Sequence, residues 1–280
     1  MLNTGPRIKA PAGTCDSHLH IFDRNVAGRG KVPSDAGVEE YHALRSKLGF
    51  SRAVVVQPRT YWTDNSVLLR AIAALGPDNT RGVAVVHPDV TDSELQRLHD
   101  GGVRGVRFSL YVAADAVVGF EMVEPLAQRL HGLGWHLQIH WMADQIVEHK
   151  EMLLRLPTPL VFDHMTRLSP DTGVSHPAFD FVRGLLTDGR AWLKLSGPYL
   201  DSVAGPKGGY KDMNAIARSW VAAAPDRLVW GSDWPHMAER PNPPDTAGLF
   251  DMLADWVPDE ALRDRILVDN PAALYGFKPA

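Results

Sequence analysis

Arg52-Ala53-Val54-Val55-Val56-Gln57 and Gly82-Val83-Ala84-Val85-Val86-His87 are short, β-branched and apolar almost throughout. A strand with one wet face alternates apolar and polar residues, whereas a strand covered on both faces reads as a continuous hydrophobic run. Six further runs lie outward from these two, at 14–20, 103–110, 135–140, 160–164, 191–196 and 227–233. Between them stand stretches with helical spacing. Tyr41, Leu44 and Leu48 mark one, and Val67, Leu68, Ala71 and Leu75 the next. Leu95 and Leu98 follow Asp92, Leu126, Leu130 and Leu133 precede the fifth run, and Met152, Leu153 and Leu156 the sixth. Strands alternating with helices predict a parallel α/β fold. An open doubly wound sheet is the rival, and a count of eight favours a closed (β/α)8 TIM barrel. Such a barrel needs about 250 residues. The 280 residues present contain no linker that divides them, so residues 1–280 are expected to form one domain.

Composition narrows the function. Hydrophobic residues make up 45% and charged residues 22%, as in an ordinary globular protein. The net charge of −4 and scattered basic residues give no field that favours nucleic acid or an anionic membrane. No apolar run reaches the roughly 18 residues of a membrane span. The one cysteine, Cys15, rules out an internal disulfide, and residues 1–13 lack the apolar centre of a signal peptide. A cytoplasmic enzyme acting on a small molecule is the expectation.

The chemistry gathers at strand ends. His18-Leu19-His20 closes the first run, and residues i and i+2 of a strand share a face, so both imidazoles can enter the barrel mouth as two ligands of one metal would. His140 ends the fifth run, His164 the sixth and Asp233 the eighth. In a closed barrel all five converge on the C-terminal mouth, where barrel active sites are built. Arg104 and Arg107 are three apart on the fourth run, so one points inward. A buried arginine needs a partner, either an internal carboxylate or a substrate's. Arg167, Lys194 and Tyr199 complete the expected lining, while Asp163 is expected to face away. His87 ends the third run and is read as structural. Cys15 begins a strand far from the mouth and is not expected to be a nucleophile. The loops at 203–210 and 241–244 follow the last two runs and are either connections or lids. Asn270-Pro271, followed by Gly276, reads as a capped closing helix.

Asp16-Ser17-His18-Leu19-His20, Val56-Gln57-Pro58, Gly105-Val106-Arg107-Phe108, Phe162-Asp163-His164-Met165, Lys194-Leu195-Ser196-Gly197, Gly231-Ser232-Asp233-Trp234-Pro235-His236 and Asn270-Pro271 together resemble the amidohydrolase superfamily. The nearest branch is the amidohydrolase-2 group, which includes lactonases of 2-pyrone-4,6-dicarboxylate. The resemblance spans nearly the whole chain. It implies a distorted barrel, hydrolysis of a small carboxylated lactone from aromatic or sugar-acid catabolism, and an Asp233 that activates water. It carries His18, His20, His140, His164 and Asp233 over as the active-site set. The dicarboxylate lactonases are thought to work without metal and lack the fifth-strand histidine. His140 is present here and completes a ligand set like that of mononuclear-metal members. Those lactonases also place an arginine after the seventh-strand tyrosine, where this chain has Leu200, and basic residues after the fourth strand, where it reads Ser109-Leu110-Tyr111-Val112-Ala113. Fewer cations suit fewer carboxylates, with Arg24, Arg29 and Lys31 as possible compensation.

One divalent ion, Zn²⁺ by preference, is therefore expected on His18, His20, His140 and Asp233. Asp233 doubles as proton acceptor and later donor, His164 polarises the carbonyl, and Arg107 and Arg167 hold a substrate carboxylate. Three rivals remain: metal-independent lactone hydrolysis, metal-dependent decarboxylation of a small aromatic or unsaturated acid, and a binding protein without activity.

Overall fold

A computed structural model of the chain describes residues 5–30, 32–112 and 116–278. Lys31 and Ala113 lie outside the described residues. Eight parallel strands pair in sequence order: β1 (Cys15–Leu19), β2 (Arg52–Val56), β3 (Thr80–Ala84), β4 (Val103–Ser109), β5 (His136–His140), β6 (Leu160–Phe162), β7 (Ala191–Leu195) and β8 (Leu228–Trp230). The ring closes through a parallel bridge between Leu19 and Trp234. There Asp233 N–H donates to His18 O, and His20 N–H to Trp234 O, each at 2.8 Å. This is the expected TIM barrel, distorted at its seam.

The covering helices include α1 (Val38–Leu48), α2 (Ser66–Leu75), α3 (Asp92–Asp100) and α4 (Val123–His131). The stretch before the sixth strand is two short helices, α5 (Ala143–Glu148) and α6 (Lys150–Arg155). Then come α7 (Pro177–Thr187), α8 (Asn214–Ala223), α9 (Thr246–Trp256), α10 (Glu260–Asp264) and α11 (Asn270–Tyr275). Their apolar faces carry the spacing read from the sequence; α2, for example, buries Val67, Leu68, Ala71, Ile72 and Leu75 against the strands.

The barrel interior is layered. Cys15, Val54, Val56, Val83 and Tyr275 pack at the closed end, with Val161, Trp192 and Val229 beside them. Above lies a polar layer. Lys194 Nζ donates to Gln138 Oε1 at 2.7 Å, while Gln138 Nε2 and Arg107 Nε both donate to Asp163 Oδ2 at 3.0 Å. His18, His20, His140, His164 and Asp233 crown that layer. Register in β1 shifts between Asp16 and Leu19, which lets Cys15 face the axis at one end while His18 and His20 face it at the other.

Several boundaries differ from the sequence reading: β8, for one, ends at Trp230, so Asp233 stands in the segment after the strand, not at its last residue. β3 ends at Ala84, because the Asn65 side chain takes over both backbone groups of Val85 (N–H to Oδ1 3.1 Å, Nδ2 to O 2.9 Å). His87 therefore lies beyond the strand with its side chain 46% exposed. β6 ends at Phe162, and His164, Met165, Thr166 and Arg167 follow with φ of 49°, 53°, 63° and 54°. This is one left-handed turn built without glycine. Asn270 is not a cap. It continues a helical segment, and its amide donates to Pro225 O (2.9 Å) and Leu228 O (2.7 Å), pinning α11 beneath β8.

Candidate active site

Strand alternation aims His136, Gln138 and His140 of β5, and Gly105, Arg107 and Ser109 of β4, at the axis. His136 is buried low, its ring 5.5 Å from that of Tyr275, and a Cβ on Gly105 would strike it. At the mouth, ring centroids run from His20 to His18 (5.1 Å), His18 to His164 (4.8 Å) and His164 to His140 (4.9 Å). The five residues expected at one pocket thus share it. The left-handed turn after β6 breaks alternation, and this corrects one expectation. Asp163 does not face away: it lies under the pocket, with Oδ1 3.3 Å from His18 Nδ1 and 3.5 Å from Lys194 Nζ.

Asp233 is the pivot. It has φ 58°, and its Oδ1 stands 3.5 Å from His18 Nε2 and 3.4 Å from His20 Nε2. Its Oδ2 accepts the Tyr199 hydroxyl at 2.5 Å. Burial opposes its charge, while attraction to His164, His20 and His18 in their protonated forms draws its carboxyl well below the usual range. Burial pushes His18 and His140 well below the ordinary imidazole value and His164 down to about 4, so these rings are neutral near pH 7.

His18, His20 and Asp233 can hold a metal ion. His20 Nδ1 is committed to Val56 O at 2.8 Å, which leaves Nε2 with its lone pair facing Asp233. His18 Nε2 is buried with no hydrogen-bond partner among the described residues. Tetrahedral zinc at about 2.0–2.1 Å separates its donors by roughly 3.3–3.5 Å; both imidazole nitrogens stand at that spacing from Asp233 Oδ1, and all three donors lie within 4.8 Å of one another. His140 lies outside that grouping. A neutral imidazole has one lone pair, and Nδ1 already faces Arg107 Nη2 and Ser109 Oγ, both at 3.0 Å, with Arg167 Nη1 3.4 Å from Nε2. A second grouping, His18, Asp163 and His164, fits a cation poorly, because Arg107 and Lys194 already balance Asp163.

The cavity above has a volume of about 450 Å³. His20, His140, His164 and Asp233 form its floor. Arg107, Arg29 and Arg59 bring positive charge to its walls, while Phe22, Pro58, Leu200 and Met237 are apolar. Arg107 is shared between Asp163 and this cavity, so both of its expected partners are present or possible. Arg29 was among the expected compensating cations; Arg24 lies away from the cavity. Arg59 was missed, although it follows the Val56-Gln57-Pro58 motif. Its Nη1 donates to Tyr111 Oη at 3.1 Å. Three expected lining residues do not line it. Lys194 is fully buried beneath His18, pushed down to about 8 by burial. Arg167 is fixed by Asp201 at 2.8 Å, behind His140. Tyr199 is buried with its hydroxyl spent on Asp233. The loops at 203–210 and 241–244 contribute no wall. Asp16, also unforeseen, stitches β1 to the segment after β8 by accepting Ser232 Oγ–H at 2.6 Å and Ser232 N–H at 2.8 Å.

A barrel mouth of this kind hosts many chemistries, so kinship matters. The chain is 38% identical to the 2-pyrone-4,6-dicarboxylate hydrolase of Comamonas testosteroni, over 96% of this chain and 92% of that one. It is 34% identical to the 4-sulfomuconolactone hydrolase of Rhizobium radiobacter, over 97% and 95%. A ligand-free crystal structure from Agrobacterium tumefaciens superposes with a TM-score of 0.86 at 28% identity, covering 98% of this chain and 100% of that one. The sequence pattern of the amidohydrolase family matches residues 15–277, which take in every strand, the three-donor cluster and the seam beside it; the chain belongs to the amidohydrolase family.

Proposed function

We propose that the protein hydrolyses a small anionic lactone of aromatic or sugar-acid breakdown. The carrying observation is Asp233, anionic and buried, one oxygen held by Tyr199 and the other facing two imidazole lone pairs at the floor of an arginine-walled cavity. The relatives named as acting on a pyrone dicarboxylate and a sulfomuconolactone support the substrate class. His18, His20 and Asp233 would hold one divalent ion, and zinc suits two nitrogens and an oxygen. When bound, such an ion lowers the pKa of water and polarises a carbonyl. Asp233 accepts a proton from the attacking water as its oxygen joins the lactone carbonyl carbon. His164, with Nδ1 accepting from Ser196 Oγ at 2.9 Å, presents Nε2–H to the oxygen that gains charge. The ring C–O bond then breaks, and Asp233 returns its proton to the departing oxygen. Arg107, with Arg29 and Arg59 nearer the rim, holds the anionic substituent.

Purified protein of measured metal content, assayed with 2-pyrone-4,6-dicarboxylate, 4-sulfomuconolactone and aromatic acids, tests this. Ring opening is expected, and Asp233→Asn should lower kcat by about 10²–10⁴ with an unchanged circular dichroism spectrum. Carbon dioxide release without ring opening, or near-normal turnover by the asparagine variant, would overturn the proposal.

A further inference from the structure

We infer that Tyr199, His236 and Thr246 form a directed hydrogen-bond line that sets the orientation of the Asp233 carboxylate, so that Tyr199 is a positioning residue and not a substrate contact. The inference rests on Asp233 being the proton acceptor proposed above. Tyr199 Oη lies 2.5 Å from Asp233 Oδ2 and 3.4 Å from His236 Nδ1, and His236 Nε2 lies 3.0 Å from Thr246 Oγ1. A phenol has one proton, and the short contact to a carboxylate takes it. His236 Nδ1 must then be the donor to Tyr199. A neutral imidazole carries one proton and one lone pair, and the contact to Tyr199 places the proton on Nδ1. Nε2 is therefore an acceptor, and Thr246 supplies the hydroxyl hydrogen. Every proton in the line points towards Asp233.

The line is anchored at both ends. Thr246 is the first residue of α9, whose N-terminus Asp245 caps by accepting Ala247 N–H. Asp233 and His236 both take the left-handed conformation (φ 58° and 59°), and His236 N–H donates to Asp233 O at 2.9 Å. The turn so formed brings the imidazole beside the phenol, their rings 5.5 Å apart and nearly perpendicular at 86°. Tyr199 leaves a turn opened by Gly197 at φ 58°, where a Cβ would meet His164 Nδ1 at 2.8 Å. With Oδ2 pinned in this way, Oδ1 is left aimed at His18 and His20. Removing the pin frees rotation about the Cβ–Cγ bond of Asp233.

Two measurements decide it. The first is kinetics of Tyr199→Phe, Thr246→Val and the double variant, with 2-pyrone-4,6-dicarboxylate and 4-sulfomuconolactone. Tyr199→Phe should lower kcat about 10–100-fold with KM within about twofold. Thr246→Val should lower kcat by less, and it should add nothing in the Tyr199→Phe background, because its effect passes through Tyr199. The second is a crystal structure of Tyr199→Phe beside the wild type, in which Asp233 Oδ1 should leave its place between the two imidazoles. An unmoved Asp233, a raised KM at constant kcat, or an additive Thr246 effect each overturns the inference. Absence of wild-type turnover on both lactones would instead defeat the proposed function, and the crystal comparison would then decide the positioning line alone.

Discussion

At the scale of single residues, the site works by committing lone pairs and protons in advance. His20 spends Nδ1 on Val56, His140 spends its lone pair on Arg107, and Asp233 spends one oxygen on Tyr199. What is left over defines the chemistry. His140 therefore belongs with Arg107. His140→Ala should lower kcat/KM on the cognate lactone by about tenfold or more, since Arg107 loses its acceptor at the cavity floor, yet leave zinc stoichiometry at the wild-type value. Elemental analysis beside kinetics checks this, and loss of bound metal in the variant would return His140 to the ligand set. The histidines and Asp233 were legible because each terminates an apolar run. Asp163 was not: alternation predicts the opposite face for the neighbour of His164, and here a turn with positive φ puts both on one side. Arg59 and Tyr111 were illegible for another reason, since loop residues carry no periodicity from which a direction can be read.

Among elements, strand identity was carried by hydrophobic runs and strand ends were not. Asn65 ends β3 from a distant loop, and no local signal in Val85-Val86-His87 reveals it. The closing helix shows the same limit. Asn270-Pro271 reads locally as a cap, but the asparagine amide serves two carbonyls around β8. Asn270→Ala leaves the buried Leu228 carbonyl and the part-buried Pro225 carbonyl without their donor, and should cost about 1–3 kcal/mol with little change in KM. Urea unfolding measures the loss. The left-handed turn at 164–167 is a costlier element, since each non-glycine residue there forgoes about 1–2 kcal/mol relative to the right-handed form. It persists because Met165 and Thr166 are buried and Arg167 is fixed to Asp201, and in exchange it delivers His164 to the cavity.

At the scale of the whole molecule, the barrel keeps neutral imidazoles in its interior, which makes it sensitive to acid. Burial lowers His136 to about 3. Unfolded, the same ring titrates near ~6.5. Below that pH the unfolded chain takes up a proton that the folded one refuses, so stability falls as pH drops from about 6.5 towards 3. Between pH 7.5 and 5 this single group removes about 2 kcal/mol. His136→Leu should lose that much less over the same interval, as read by urea unfolding at the two pH values; an equal loss would show that the folded ring is protonated. The seam between β1 and the segment after β8 has a different consequence. Seven strand pairs are laddered, but among the described residues the eighth junction rests on one bridge with its two backbone bonds and on Ser232, which donates to Asp16 and to His18 O. His18 and His20 stand on one lip of this seam and Asp233 on the other. Any ion or ligand gripped by all three is therefore a rivet across the barrel's weakest join. Occupancy should slow amide hydrogen exchange at His20 and Asp233 before it slows exchange elsewhere. Zn²⁺ at about a hundred times its dissociation constant should add about 2.7 kcal/mol to global stability, so the folded lifetime of this enzyme is coupled to what its active site holds.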